Sequence, residues 1–86
     1  MYQVLISKTA RKQLQELPKA IANNISQKID TLSKDPRPEG CKKLQGSQDD
    51  YRVRVGDYRI VYRIENKMLI VEVIRIGHRK DVYKKK

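Results

Sequence analysis

Residues 51–64 read YRVRVGDYRIVYRI, and two strands joined by a short turn are written into them. Tyr51, Val53 and Val55 alternate with Arg52 and Arg54, and alternation at period two marks a strand with one buried face. Gly56-Asp57 supplies a connection short enough to force an antiparallel hairpin, and Tyr58–Ile64 forms the returning strand. The apolar positions point inward. Arg52 and Arg54 then share the other face, with Arg59 opposite them across the hairpin. Such a face repels itself unless something anionic lies on it.

The flanks of this hairpin set the rest of the architecture. On the C-terminal side, Glu65-Asn66-Lys67 makes a second tight turn into Met68–Ile76, which is apolar at nearly every position. That pattern predicts a strand covered on both faces, by helices on one side and by a partner on the other. On the N-terminal side, Asp35-Pro36-Arg37-Pro38-Glu39-Gly40 ends a helix and opens a loop reaching to about Asp50. The helix before it carries Ile21, Ala22, Ile25, Ile29 and Leu32 at helical spacing. Pro18 separates it from an earlier helix with Ala10, Leu14 and Leu17, for which Ser7 or Thr9 offers a cap. Tyr2–Ile6 reads as a short strand. The expected fold is α+β: an N-terminal strand, a two-helix hairpin, then a three-stranded antiparallel meander, forming one small sheet with the helices on one face. Residues 1–86 are expected to make a single domain, in which a chain of this size buries only about three-fifths of its unfolded surface.

Charge is distributed unevenly over that plan. Lys and Arg number 20 against 10 Asp and Glu, a formal net charge of +10. Residues 1–50 hold 9 basic and 6 acidic side chains, whereas residues 51–86 hold 11 and 4. The excess sits with the strands, and its natural counterpart is nucleic acid. Cys41 is the sole cysteine, so no internal disulfide framework exists and a reducing compartment is expected. No charged leader followed by an apolar run opens the sequence and no run approaches a membrane span, so a cytoplasmic protein without a membrane partner is expected.

The residue inventory narrows the chemistry. One His and one Cys without clustered carboxylates do not furnish an all-protein zinc site, and no metal or other cofactor is expected. Gly40, Gly46, Gly56 and Gly77 lie too far apart for a phosphate loop. An arginine surface supports a different chemistry: holding phosphates and stabilising the charge that builds on a phosphorane. RNA brings its own nucleophile, the 2′-hydroxyl, so a protein that aligns it with the adjacent phosphate needs only positioning, a charge clamp and proton carriers.

Arg52, Arg54 and Arg59 are the first candidates for the clamp. Arg79 follows the last strand and Gly77, where it would project over the sheet. His78 is the only side chain here whose ordinary pKa lies near neutrality, which makes it a candidate for proton transfer. It is equally read as a merely exposed residue. Tyr83 either staples the C-terminus to the core or stacks on a nucleobase. Arg63, Lys42, Lys43 and Lys80 are candidates for RNA binding through the backbone, with a solvated surface charge as the plain alternative.

Taken together, PRPEGCKKLQG at 36–46, YRVRVGDYRIVYRI at 51–64 and VIRIGHRKDVY at 73–83 resemble the RelE toxins of bacterial and archaeal toxin–antitoxin pairs, within the RelE/ParE superfamily. The resemblance spans essentially the whole chain. It implies a ribosome-dependent endoribonuclease that cuts mRNA in the decoding site, in contact with ribosomal RNA, and that a cognate antitoxin wraps and silences. The 2′-hydroxyl would attack the next phosphate and leave a 2′,3′-cyclic phosphate and a 5′-hydroxyl. It assigns active-site roles to Arg52, Arg54, Arg59, Arg79 and Tyr83. The chain departs from the best-known members at Arg52 and Arg54, where those have lysine. Lysine can lose its proton and act as a base; arginine does not. His78 then becomes the candidate base, with proton transfer to water or within the RNA as the alternative. Two rival functions remain in view: a ParE-like block of DNA gyrase without cleavage, and a non-catalytic nucleic-acid-binding module.

Overall fold

The computed structural model describes residues 1–46 and 49–78 of the chain. It contains β1 (Gln3–Ile6), α1 (Lys8–Gln15), α2 (Lys19–Leu32), β2 (Lys42–Lys43), β3 (Asp50–Val55), β4 (Tyr58–Glu65) and β5 (Ile70–His78). The strands form one sheet in the order β1-β5-β4-β3-β2. β1 runs parallel to β5, and the other neighbours are antiparallel. The α+β expectation holds, with the hairpin of residues 51–64 at the centre of the sheet.

The apolar stripes find each other across a single interface. Ile25, Ile29 and Leu32 of α2 and Ala10 of α1 are buried against Val53, Ile60, Tyr62, Ile64, Val71, Val73 and Ile76. Register explains the selection: Val53 faces Ile60, Ile60 faces Ile76, and Ile64 faces Val71, so these side chains share the helix-facing surface of the sheet. Each such side chain contributes about 1.5–3 kcal/mol on burial, and a domain this small depends on all of them.

A bulge in β5 lets its crowded apolar run obey this rule. Val61 pairs with Arg75 and Tyr62 with Val73, which leaves Ile74 as an extra residue. The shift in parity places both Val73 and Ile76 on the core side, although they are three apart. Backbone groups around the bulge are met from α1. The Ser7 hydroxyl donates to the Ile74 carbonyl at 2.8 Å, and the Gln13 side-chain oxygen accepts from the Ile76 amide at 2.7 Å. Ser7 also accepts from the Ala10 amide at 3.0 Å, so it is the helix cap as well.

Three expectations are corrected. The loop expected from Asp35 to about Asp50 contains β2, in which Lys42 pairs with Arg52 and Lys43 with Tyr51. Two lysines carry no apolar alternation from which a strand is legible. The last strand begins at Ile70, not Met68. Met68 and Leu69 lie in the turn, 68% and 48% exposed, and Leu69 adopts a φ of 55°. The strand also continues through Gly77 and His78, past the expected end at Ile76. Within this strand Val71, Val73 and Ile76 are buried, whereas Ile70 and Ile74 are half-buried in the chain by itself.

Candidate functional site

The helices cover one face of the sheet and leave the other for charge. On that open face Arg54 and Arg59 are direct cross-strand partners, and Arg52 stands two residues along β3 from Arg54. Gly56 makes this possible. Its φ of 59° at the first position of the Gly56-Asp57 turn is the conformation glycine tolerates, and it sets the register that brings Arg54 opposite Arg59. β2 then lays Lys42 beside Arg52. The outcome is a cleft of about 400 Å³ lined by Gly40, Lys42, Arg52, Arg54 and Arg59.

Like charges directly opposite in a sheet are unfavourable. Local carbonyls hold two of these guanidiniums: Arg54 Nε donates to the Gly56 carbonyl at 3.2 Å, and Arg59 Nη1 to that of Tyr58 at 3.3 Å. Four basic side chains thus line one cleft, a lining suited to an anion with several acceptor oxygens. Planar guanidiniums bind phosphate oxygens two at a time.

Arg63 shares the open face but is committed elsewhere. Its Nε donates to Asp50 Oδ1 at 2.8 Å, and this bond to the carboxylate raises the guanidinium pKa further above its ordinary value. Arg63 is thereby partly neutralised at the far end of the face, which concentrates positive charge at the hairpin end. Arg75 lies on the same face, in register with Val61, and is exposed. Lys43 is exposed beside the cleft, where it borders a second groove with Lys42, Leu44, Gln45 and Arg52.

His78 is parted from the arginines. It pairs with Tyr58, whose side of the sheet is the helix side, and the two rings meet edge to face with centroids 5.5 Å apart. The groove it lines contains Gln13 of α1 with Glu16 and Leu17 just after that helix. Alternation along β5 thus separates His78 from the face on which a proton carrier for the cleft would stand. Arg79, Lys80 and Tyr83 lie outside the described residues.

What braces the cleft from behind was not read from the sequence. Tyr62 is fully buried, and its hydroxyl donates to the Pro36 carbonyl at 2.7 Å; burial pushes its phenol well above its usual range. Tyr51 stacks on Tyr62 with centroids 6.0 Å apart, and Arg37 Nε donates to the Tyr51 hydroxyl at 3.2 Å. That hydrogen bond raises the Arg37 pKa above its ordinary value. Together these contacts pin residues 36–37 to the back of β3 and β4, and so fix the segment that carries Gly40 and Lys42 round to the front. Tyr51 showed only as an inward-facing strand position, and nothing in the spacing connects either tyrosine with Pro36.

No helix among the described residues is long and apolar enough to cross a membrane. Comparison with known proteins agrees with the architecture. The family described as ParE toxin of type II toxin-antitoxin system, parDE, matches residues 4–83. Toxin RelG of Mycobacterium tuberculosis is 31% identical over 85 residues, covering 98% of this chain and 98% of that protein. The mRNA interferase toxin RelE of Escherichia coli is 30% identical over 78 residues, covering 86% of this chain and 81% of that protein. The crystal structure of the archaeal RelE-RelB complex from Pyrococcus horikoshii OT3 contains a chain that superposes with a TM-score of 0.81 at 35% identity, covering 91% of this chain and 94% of that one. The sheet order, the helical cover and these likenesses lead to one assignment: the chain belongs to the RelE/ParE family and is a RelE-type toxin of a type II toxin–antitoxin system.

Proposed function

We propose that this toxin is a ribosome-dependent endoribonuclease that cuts mRNA in the decoding site by attack of the RNA 2′-hydroxyl on the adjacent phosphate. The observation that carries the reading is the convergence of Arg52, Arg54 and Arg59 with Lys42 in one cleft on the open face of the sheet. The scissile phosphate sits among the guanidiniums, which stabilise the charge that develops on its non-bridging oxygens as the phosphorane forms. The products are a 2′,3′-cyclic phosphate and a 5′-hydroxyl. In-line placement of the 2′-oxygen comes from mRNA held on the ribosome, so the protein adds a charge clamp to a substrate aligned elsewhere. Arg79 and Tyr83 are carried into this reading by family likeness alone.

The toxin is further proposed to be silenced by a cognate antitoxin. Support comes from the archaeal relative, whose structure is a RelE-RelB complex. A basic open face of this kind favours a partner with acidic side chains, and the exposed Met68 and Leu69 add an apolar contact.

The family match to ParE keeps a second reading in play, in which the same fold blocks DNA gyrase. One paired experiment separates them. Primer extension on a translated message, with and without the protein, is expected to show new stops at codon boundaries or within codons. A DNA gyrase supercoiling assay is expected to be unaffected. Intact message together with inhibited supercoiling would reverse the assignment.

A further inference from the structure

One side chain in the arginine cleft differs in kind from its neighbours. Lys42 is the register partner of Arg52 across β2 and β3, so both project from the open face, with Cβ atoms about 5 Å apart as in any such pair. It lines the cleft with Arg52, Arg54 and Arg59. A guanidinium neutralises charge but does not give up its proton in a protein, whereas a lysine ammonium has protons to hand over. His78 stands on the opposite face. Among the described residues that line the cleft, Lys42 is therefore the one that can transfer a proton.

Its position suits one end of the reaction. Arg54 and Arg59 form a row across the hairpin, and Lys42 and Arg52 form a second row two residues along β3, about 7 Å away at strand spacing. In-line displacement sets the attacking and leaving oxygens on opposite sides of phosphorus. A phosphate held between the rows presents one of those oxygens to each.

We propose that Lys42 is the general acid of the cleavage, protonating the leaving 5′-oxygen. The inference rests on the endoribonuclease reading above. The 2′-oxygen forms its bond to phosphorus and releases its proton to water. The bond from phosphorus to the 5′-oxygen breaks, its electron pair stays on that oxygen, and a proton from Lys42 Nζ completes the 5′-hydroxyl. Lys42 then recovers a proton from solvent, and no other reactant is consumed.

The test uses ribosome-bound mRNA cut by the wild-type toxin, Lys42→Ala and Lys42→Arg. Each protein acts on a normal message and on one carrying sulfur in place of the bridging 5′-oxygen at the mapped cut. A thiolate leaves without needing a proton. Lys42 is exposed, so neither substitution disturbs the core. On the oxygen linkage both variants are expected to be slower by at least about a hundredfold, the range of general acid catalysis. On the sulfur linkage Lys42→Arg, which keeps the charge, is expected to match the wild type, and Lys42→Ala to recover most of its loss. Arg59→Ala provides the contrast, since loss of a charge clamp persists on both linkages. Wild-type rates for Lys42→Arg on the oxygen linkage would overturn the proposal, because charge alone would then suffice. So would a Lys42→Arg defect that sulfur fails to rescue. A wild-type toxin that cuts neither message would instead overturn the endoribonuclease reading, and the role of Lys42 with it.

Discussion

Arg59 shows how much one residue's position decides. It is half-buried, directly opposite Arg54 and inside the cleft, whereas Arg63, four residues along the same strand, is held by Asp50. Arg59→Ala is expected to slow cleavage by about a hundredfold, the loss of one transition-state contact worth roughly 3 kcal/mol, with ribosome binding largely retained. Single-turnover rates at saturating toxin, set beside a binding titration, check this. His78 leads to the opposite expectation. Because it packs edge-on against Tyr58 on the helix side, His78→Ala should leave the cleavage rate within about twofold of wild type, as for a surface substitution away from the site. It should also leave the pH dependence of the rate between pH 6 and 7 unchanged. The common face of Arg52, Arg54 and Arg59 was legible from alternation alone. The side taken by His78 was not, since the bulge at Ile74 shifts the parity of everything after it and leaves no mark in the sequence.

At the scale of elements, the helices and the central hairpin followed from periodicity and from Gly56-Asp57. The short strand β2 escaped because Lys42-Lys43 has no pattern, and it exists because the preceding segment is anchored by Tyr62 and Arg37. Tyr62→Phe is expected to destabilise the fold by about 1–3 kcal/mol, since the Pro36 carbonyl loses its partner in a buried place. Its pH dependence has a definite sign. Burial raises the Tyr62 pKa in the fold above the ordinary 10.0, so unfolding above that pH releases a proton that the folded protein retains. Stability is therefore fully present below about pH 10 and falls as pH rises beyond it, and Tyr62→Phe should flatten that fall. Urea melts at pH 8 and at alkaline pH, with and without the substitution, measure both effects. Ser7→Ala removes a helix cap and a donor to the bulge together. A loss of about 1–3 kcal/mol is expected, with the urea midpoint as the readout.

Across the whole molecule, division of labour between the two faces of one sheet ties the fold to the proposed chemistry. The helix side holds the apolar core, and the other side carries the cleft of Lys42, Arg52, Arg54 and Arg59. The α+β plan and the basic C-terminal half were both visible in the sequence. The parallel pairing of β1 with β5 was not, because Gln3–Ile6 carries no signal for which edge it joins. In the proposed mechanism a clamp made largely of arginine, on a substrate that supplies its own nucleophile, makes catalysis depend on how well that substrate is aligned. The decisive measurement is the single-turnover cleavage of one mRNA by the wild-type toxin, on the ribosome and free, with the new ends identified chemically. Fast cleavage on the ribosome and very slow cleavage of the free RNA are expected, with 2′,3′-cyclic phosphate and 5′-hydroxyl ends. Equal rates on both, or 5′-phosphate ends, would contradict a metal-free charge clamp acting on ribosome-aligned RNA.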